Sequence, residues 1–151
     1  MIATRKVVFF GALSLCGLAL APSWLSHGHW IFELAVFAFF SKLCHQIPER
    51  SLALFGAPAA VCVRCLGIYA GAALGSLTRF ARRTAFYWLF AALALNFLDV
   101  AAESVGLHGN MPLPRFLIGG VLGIAVGALL SVDDPIAAIS RESTETAVQK
   151  A

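Results

Sequence analysis

The sequence predicts an all-α fold, a polytopic transmembrane helical bundle with four or five spans. Hydrophobic residues make up 60% of the 151-residue chain and charged residues only 13%. Mean hydropathy is +0.83, and a soluble domain of this length has too little interior to hide that much apolar surface. The apolar residues also fall into five segments with short connections between them. A span takes about 20 residues, so the length allows at most about five crossings.

The first segment is Val7 to Pro22, "VVFFGALSLCGLALAP", preceded by Arg5 and Lys6. A basic start, a short apolar centre and the small-x-small site Ala19-Leu20-Ala21 also describe a signal peptide. Pro22 directly after that site argues against cleavage, so a retained, short span is expected. Cys16 lies inside it as a small apolar residue. The second segment is Trp30 to Cys44, with Trp30 as an interface anchor. Glu33, early in this span, is placed in the interface, and His27 and His29 before it are solvated loop residues.

Gln46 to Ala60 is a connection, because Pro48 and Pro58 do not suit a helix interior. Its apolar "SLALF" is placed in the interface. The third span, Val61 to Phe80, is closed by Arg79, Arg82 and Arg83. The fourth is Ala85 to Val105. A turn with Gly106, Gly109, Asn110 and Pro112 follows; His108 falls in it and is not taken as a ligand. The fifth span is Arg115 to Val132. Residues 1–132 thus form the helical domain. From Asp133 the chain is polar without apolar period, and residues 133–151 are expected to be a flexible tail.

Two spans carry glycine every fourth residue: Gly67, Gly71 and Gly75 in the third, Gly119, Gly123 and Gly127 in the fifth. This spacing puts a smooth face along each helix and lets another backbone approach closely. Helix–helix contact, including contact with each other, is the expected use.

Connectivity brings the unusual polar residues to one membrane face. Cys44 and His45 end the second span, and Cys62, Arg64 and Cys65 begin the third. The fourth returns to the same side with Asn96, Asp99 and Glu103 in its last part, and the fifth starts there with Arg115. Along their helices Cys65 lies roughly 21 Å from Arg79, and Asp99 roughly 24 Å from Arg83, so thiols and carboxylates share a level. Asn96, Asp99 and Glu103 share one helix face. Ionisable groups at such depth are costly and face a cavity or a partner.

Cys62-x-x-Cys65 at a helix start is a half-site for zinc, and Cys44 with His45 can supply the remaining ligands of a tetrahedron. Iron or copper also suits these ligand types. Adjacent residues point in different directions on a helix, so Cys44 and His45 share an ion only if the helix has ended before them. Otherwise His45 is a general base or supports a ligand. A redox-active dithiol, a structural disulfide or three buried thiols are the alternatives, and the spacing alone does not separate them. Asp99, Glu103, Arg115 and Arg64 are the candidate catalytic residues. The structural alternative is an ion-pair cluster that fixes helix packing.

The motifs "CHQIPERS" (Cys44 to Ser51) and "CVRCLGIYAG" (Cys62 to Gly71) resemble those of a family of small prokaryotic membrane proteins catalogued as a domain of unknown function. The pattern of that family continues with an Asp in a later span, matched by Asp99, and R-x-x-x-G-x-x-x-G, matched by Arg115, Gly119 and Gly123. The resemblance covers about residues 40 to 130. It implies a recurring membrane module and brings no reaction with it. Val100 and Ala101 follow Asp99 where the family often has Gly and Gln.

The functional expectation is a metal-binding integral membrane protein, with zinc as first choice and, if it is an enzyme, a lipid-linked or small polar substrate. A thiol–disulfide redox protein and a small transporter with a structural metal are the rivals. The net charge of +3 is too small and scattered for nucleic acid. A prokaryotic inner membrane is expected. Arg5 and Lys6 favour an inside amino terminus, which puts the site inside if five spans cross, whereas the loop with Arg79, Arg82 and Arg83 favours a site outside. With Arg50, Arg64 and Arg115 left out of the count, Arg79, Arg82, Arg83, Arg141 and Lys150 against Arg5, Lys6 and Lys42 favour the extracytoplasmic side.

Overall fold

The computed structural model describes residues 2–25, 30–106, 109 and 111–131. His27, His29, His108 and the expected tail lie outside these residues. In chain order the elements are α1 (Ile2–Leu25), α2 (Trp30–Phe40), a 3₁₀ turn (Pro48–Arg50), β1 (Ser51–Leu54), β2 (Ala57–Cys62), α3 (Val63–Ser76), α4 (Arg82–Ser104) and α5 (Pro112–Leu130). The chain is a helical membrane bundle with one small hairpin inserted before α3.

Among the described residues, three helices are long and apolar enough to cross a bilayer, over Thr4–Trp24, Arg82–Ser104 and Pro112–Leu130. The second and third expected spans are shorter than the hydropathy suggests. Helix α2 has 11 residues and α3 has 14, about 16 Å and 21 Å of helix against a hydrocarbon core of about 30 Å. Helix α2 stops at Phe40. The N–H of Cys44 still donates to the Phe40 carbonyl at 2.8 Å, but Gln46 then takes φ 50°, a left-handed conformation that ends the helical path.

The stretch placed in the interface forms part of an antiparallel hairpin, with Leu54 opposite Ala57 and Ala53 opposite Pro58. Its two-residue turn, Phe55-Gly56, has φ 52° and 83°, the positive pair that a right-twisted hairpin of this length prefers. Phe55 is an unusual residue for that position. Its ring meets Trp24 of α1 edge to face, with centroids 5.8 Å apart, a contact that offsets part of the strain. Strand β2 is not a solvent strand. Ala59, Ala60 and Val61 are buried, and Ala60 and Val61 join Ala19, Val36, Phe40, Cys44 and Leu66 in one apolar cluster. Val61 and Cys62, expected in the third span, belong to this strand.

Helices α3 and α5 run parallel and in contact along their glycine faces. A Cβ on Gly67, Gly71 or Gly75 would overlap the carbonyl oxygens of Phe116, Gly120 and Ile124 in turn. A Cβ on Gly119, Gly123 or Gly127 would overlap those of Arg64, Ile68 and Ala72. The two faces interdigitate as the four-residue spacing predicts, and this packing fixes where Arg64 and Arg115 stand. On α4, Asn96 Nδ2 donates to the Ile118 carbonyl of α5 at 3.2 Å, which turns its Asn96–Asp99–Glu103 face toward the other helices.

Candidate metal centre

Cys44 lies just past the end of α2. Cys62 is the last residue of β2 and the N-cap of α3, with φ −68° and ψ 158°. Cys65 sits one turn further along α3, on the side of Cys62. Because β2 runs straight into α3, strand pairing sets Cys62 and helix geometry sets Cys65. The three Sγ atoms lie within 4.8 Å of one another. All three thiols are free; Cys44 is buried and the other two are half-buried. The backbone N–H of Cys62 donates to Cys44 Sγ at 3.2 Å. Cys16, as expected, packs against the apolar cluster and takes no part.

These thiols fit a metal ion. Three ligands of a tetrahedron with Zn–S bonds near 2.3 Å lie about 3.8 Å apart, so the sulfurs need to close by an ångström or less. His45 does not join them, although helix α2 has already ended. The chain turns at Gln46, and the imidazole stands exposed on the wall of the neighbouring cavity. Of the four residues expected from the sequence, the three thiols cluster among the described residues, and His45 lies outside that cluster.

Gln46 was not singled out as a site residue from its type, yet it holds this corner together. Its Nε2 donates to the Phe37 carbonyl at 2.7 Å and to the Ala60 carbonyl at 2.9 Å. The first adds to the bond that the Phe37 carbonyl already accepts from the Ser41 N–H at 2.9 Å, and the second ties that end of α2 to β2. Cys44 is thereby fixed relative to Cys62.

A cavity of about 330 Å³ adjoins the thiols. Cys44, Cys62, Cys65 and His45 line it, and so do Arg50, Arg64 and Arg115. The cysteine group and the arginine group thus share one cavity rather than two. Asp99 and Glu103 are not on its wall. Asp99 Oδ2 accepts from Arg64 Nη2, with the Asp99 side chain 6% exposed. Glu103 bridges Arg115 at 2.5 Å and Arg50 at 2.8 Å. Each carboxylate of α4 therefore grips arginines that reach the cavity from other elements. From the sequence, Arg50 is a motif residue and one of the basic residues on the side of the site, and is not among the candidate catalytic residues. The polar run of the 3₁₀ turn, with Arg two residues after Pro48, was the available signal.

A family model described as "Predicted membrane protein (DUF2085)" matches residues 44–129, more than half of the chain, with the three cysteines, His45, the three arginines and both carboxylates of this site among them. An uncharacterized protein from Methanocaldococcus jannaschii is 32% identical over 106 residues, 64% of this chain and 67% of its own. An uncharacterized protein from Methanothermobacter thermautotrophicus is 34% identical over 98 residues, 62% of this chain and 88% of its own. No solved structure matches. With the apolar helices, the thiol cluster and this match together, the chain belongs to that family of predicted membrane proteins.

Proposed function

We propose that Cys44, Cys62 and Cys65 hold one transition-metal ion, zinc by first preference, in an integral membrane protein that acts on a substrate in the adjoining cavity. The observation that carries this is the approach of three sulfurs, from two separate segments, to within 4.8 Å beside a cavity lined by arginines. Three protein ligands leave a fourth position open, the arrangement of catalytic rather than purely structural zinc. A bound ion would supply Lewis acidity. Arg64 and Arg115 orient the substrate from the first turns of α3 and α5. Asp99 and Glu103 act through those arginines, by holding their forks in place. His45, exposed on the cavity wall, is assigned proton transfer. A prokaryotic inner membrane, with the site on its extracytoplasmic side, is the proposed location, and lipid-linked or small polar molecules are the proposed substrates.

The free Cys62 and Cys65 thiols at the start of α3 favour one rival, a dithiol that closes to a disulfide while a quinone or partner protein takes its two electrons and two protons. Elemental analysis of the purified protein, wild type against Cys62→Ser, separates the two. The metal reading expects one equivalent of ion in the wild type, little in the variant, and thiols protected from alkylation until a chelator is added. Metal-free protein with thiols that alkylate at once supports the dithiol instead.

A further inference from the structure

Among the described residues, the cavity wall carries three guanidinium groups and no carboxylate. Arg50 comes from the 3₁₀ turn, Arg64 from α3 and Arg115 from α5, so the three approach from different elements. Their acidic partners on α4 hold them from off the wall. The Arg115 side chain is only 5% exposed. Arg64 Nε is buried with no hydrogen-bond partner among the described residues. An arginine has five N–H donors, and a carboxylate occupies two of them.

A planar carboxylate ligand is suited to one arginine fork, whereas a phosphate presents oxygens in several directions and suits several. The same cavity has apolar residues beside this polar wall. Leu43 and Ile47 line it, and Leu43 is 60% exposed on the outer surface of a membrane protein. A cavity of this volume is of the size that takes a small ligand or a headgroup.

We infer that the cavity binds a phosphate oxyanion carried on an apolar molecule, with Arg50, Arg64 and Arg115 on the phosphate and Leu43 and Ile47 on the first carbons of the chain. The inference deepens the metal reading by naming the substrate class for the same cavity, but the arginines bind phosphate whether or not the ion is present.

Titration calorimetry on the full chain in detergent tests it, with dihexanoyl phosphatidic acid, inorganic phosphate and neutral dihexanoylglycerol as probes, in zinc-loaded and chelated samples. Saturable binding of phosphatidic acid is expected. Arg50→Gln, on an exposed turn where the fold tolerates it, should weaken that binding about tenfold, the effect of one charge-assisted hydrogen bond. The charge-balanced pair Arg64→Gln with Asp99→Asn should weaken it about a hundredfold. Tighter binding of the lipid than of inorganic phosphate assigns a headgroup; equal binding assigns free phosphate. Absence of saturable binding, equal binding of dihexanoylglycerol, or unchanged affinity in both variants overturns the proposal. Zinc content is measured on the same samples. Phosphatidic acid binding without zinc uptake defeats the metal reading alone, and zinc uptake without phosphatidic acid binding defeats this inference alone.

Discussion

The backbone N–H of Cys62 donates to Cys44 Sγ at 3.2 Å across 18 residues of chain. A main-chain donor aimed at a sulfur orients that sulfur, as the hydrogen bonds around metal ligands commonly do. The strand-to-helix junction at Cys62 thus brings one sulfur to the cluster and orients a second.

If these sulfurs hold an ion, metal binding is linked to folding. Free zinc at about a hundred times its Kd should raise the stability of the wild type by about 2.7 kcal/mol. The check is the thermal midpoint in detergent with zinc, then with excess chelator. The shift should vanish in Cys44→Ser. An equal shift in Cys44→Ser would place the zinc elsewhere.

His45 gives a sharper test, because it stands on the cavity wall outside the sulfur cluster. His45→Ala should keep its zinc and lose turnover once a substrate is found. Loss of zinc from His45→Ala in elemental analysis would make His45 the fourth ligand and close the open position.

Asp99 and Glu103 differ in what their loss leaves behind. Asp99→Asn strands the Arg64 guanidinium against a nearly buried neighbour, and breaking such a pair costs about 3 kcal/mol. Glu103 serves two arginines, one of them on an exposed turn with its side chain 44% exposed. Glu103→Gln should therefore lower the thermal midpoint less. Adding Arg64→Gln to Asp99→Asn should recover part of the loss, because the stranded charge is gone. A larger drop for Glu103→Gln would reverse the assignment of the deeper group.

The long spans were legible in the sequence because a crossing helix needs little beyond length and hydropathy. The hairpin was not. "SLALFGAPAAV" is as apolar as a helix, and β2 is buried against α1 and α2 rather than exposed, so it lacks the alternation that marks a half-buried strand. Its turn uses Phe55 where an Asn-Gly pair would have signalled it. The glycine contact was legible because close backbone approach demands small residues at fixed spacing. The three thiols were legible from residue type and connectivity. The place of His45, exposed on the cavity wall outside the sulfur cluster, was not, because side-chain type does not announce it.

The α3–α5 contact predicts a contrast between glycines. Gly71→Leu drives a side chain into the Gly120 backbone of α5, with no flexible side chain to give way. Overpacking of this kind typically costs about 1–3 kcal/mol, and more against backbone. A Cβ on Gly17, in α1, would have nothing within 4 Å, so Gly17→Ala should be neutral or stabilise by roughly 0.5–1 kcal/mol. Thermal unfolding of the two variants in the same detergent checks the contrast. Equal effects would show that α3 and α5 do not pack on these faces.

Gln46 ties stability to the site. Its Nε2 bonds to Phe37 and Ala60 join the end of α2 to β2, and Cys44, one of the three clustered thiols, lies in the chain between Phe37 and Gln46. Gln46→Ala removes both bonds, leaves two part-buried carbonyls without that donor and keeps a non-glycine residue at φ 50°. The expected cost is about 1–3 kcal/mol. Gln46→Gly relieves the backbone strain but not the lost bonds, so it should fall between wild type and Gln46→Ala in thermal stability. Both variants retain all three thiols. If the clasp sets the position of Cys44, both should bind zinc about tenfold more weakly than wild type, the lower end of the range for losing a group that orients a ligand. Competition with a chromophoric chelator measures this directly. Wild-type zinc affinity in both variants, alongside lowered stability, would make Gln46 a fold residue with no part in shaping the site.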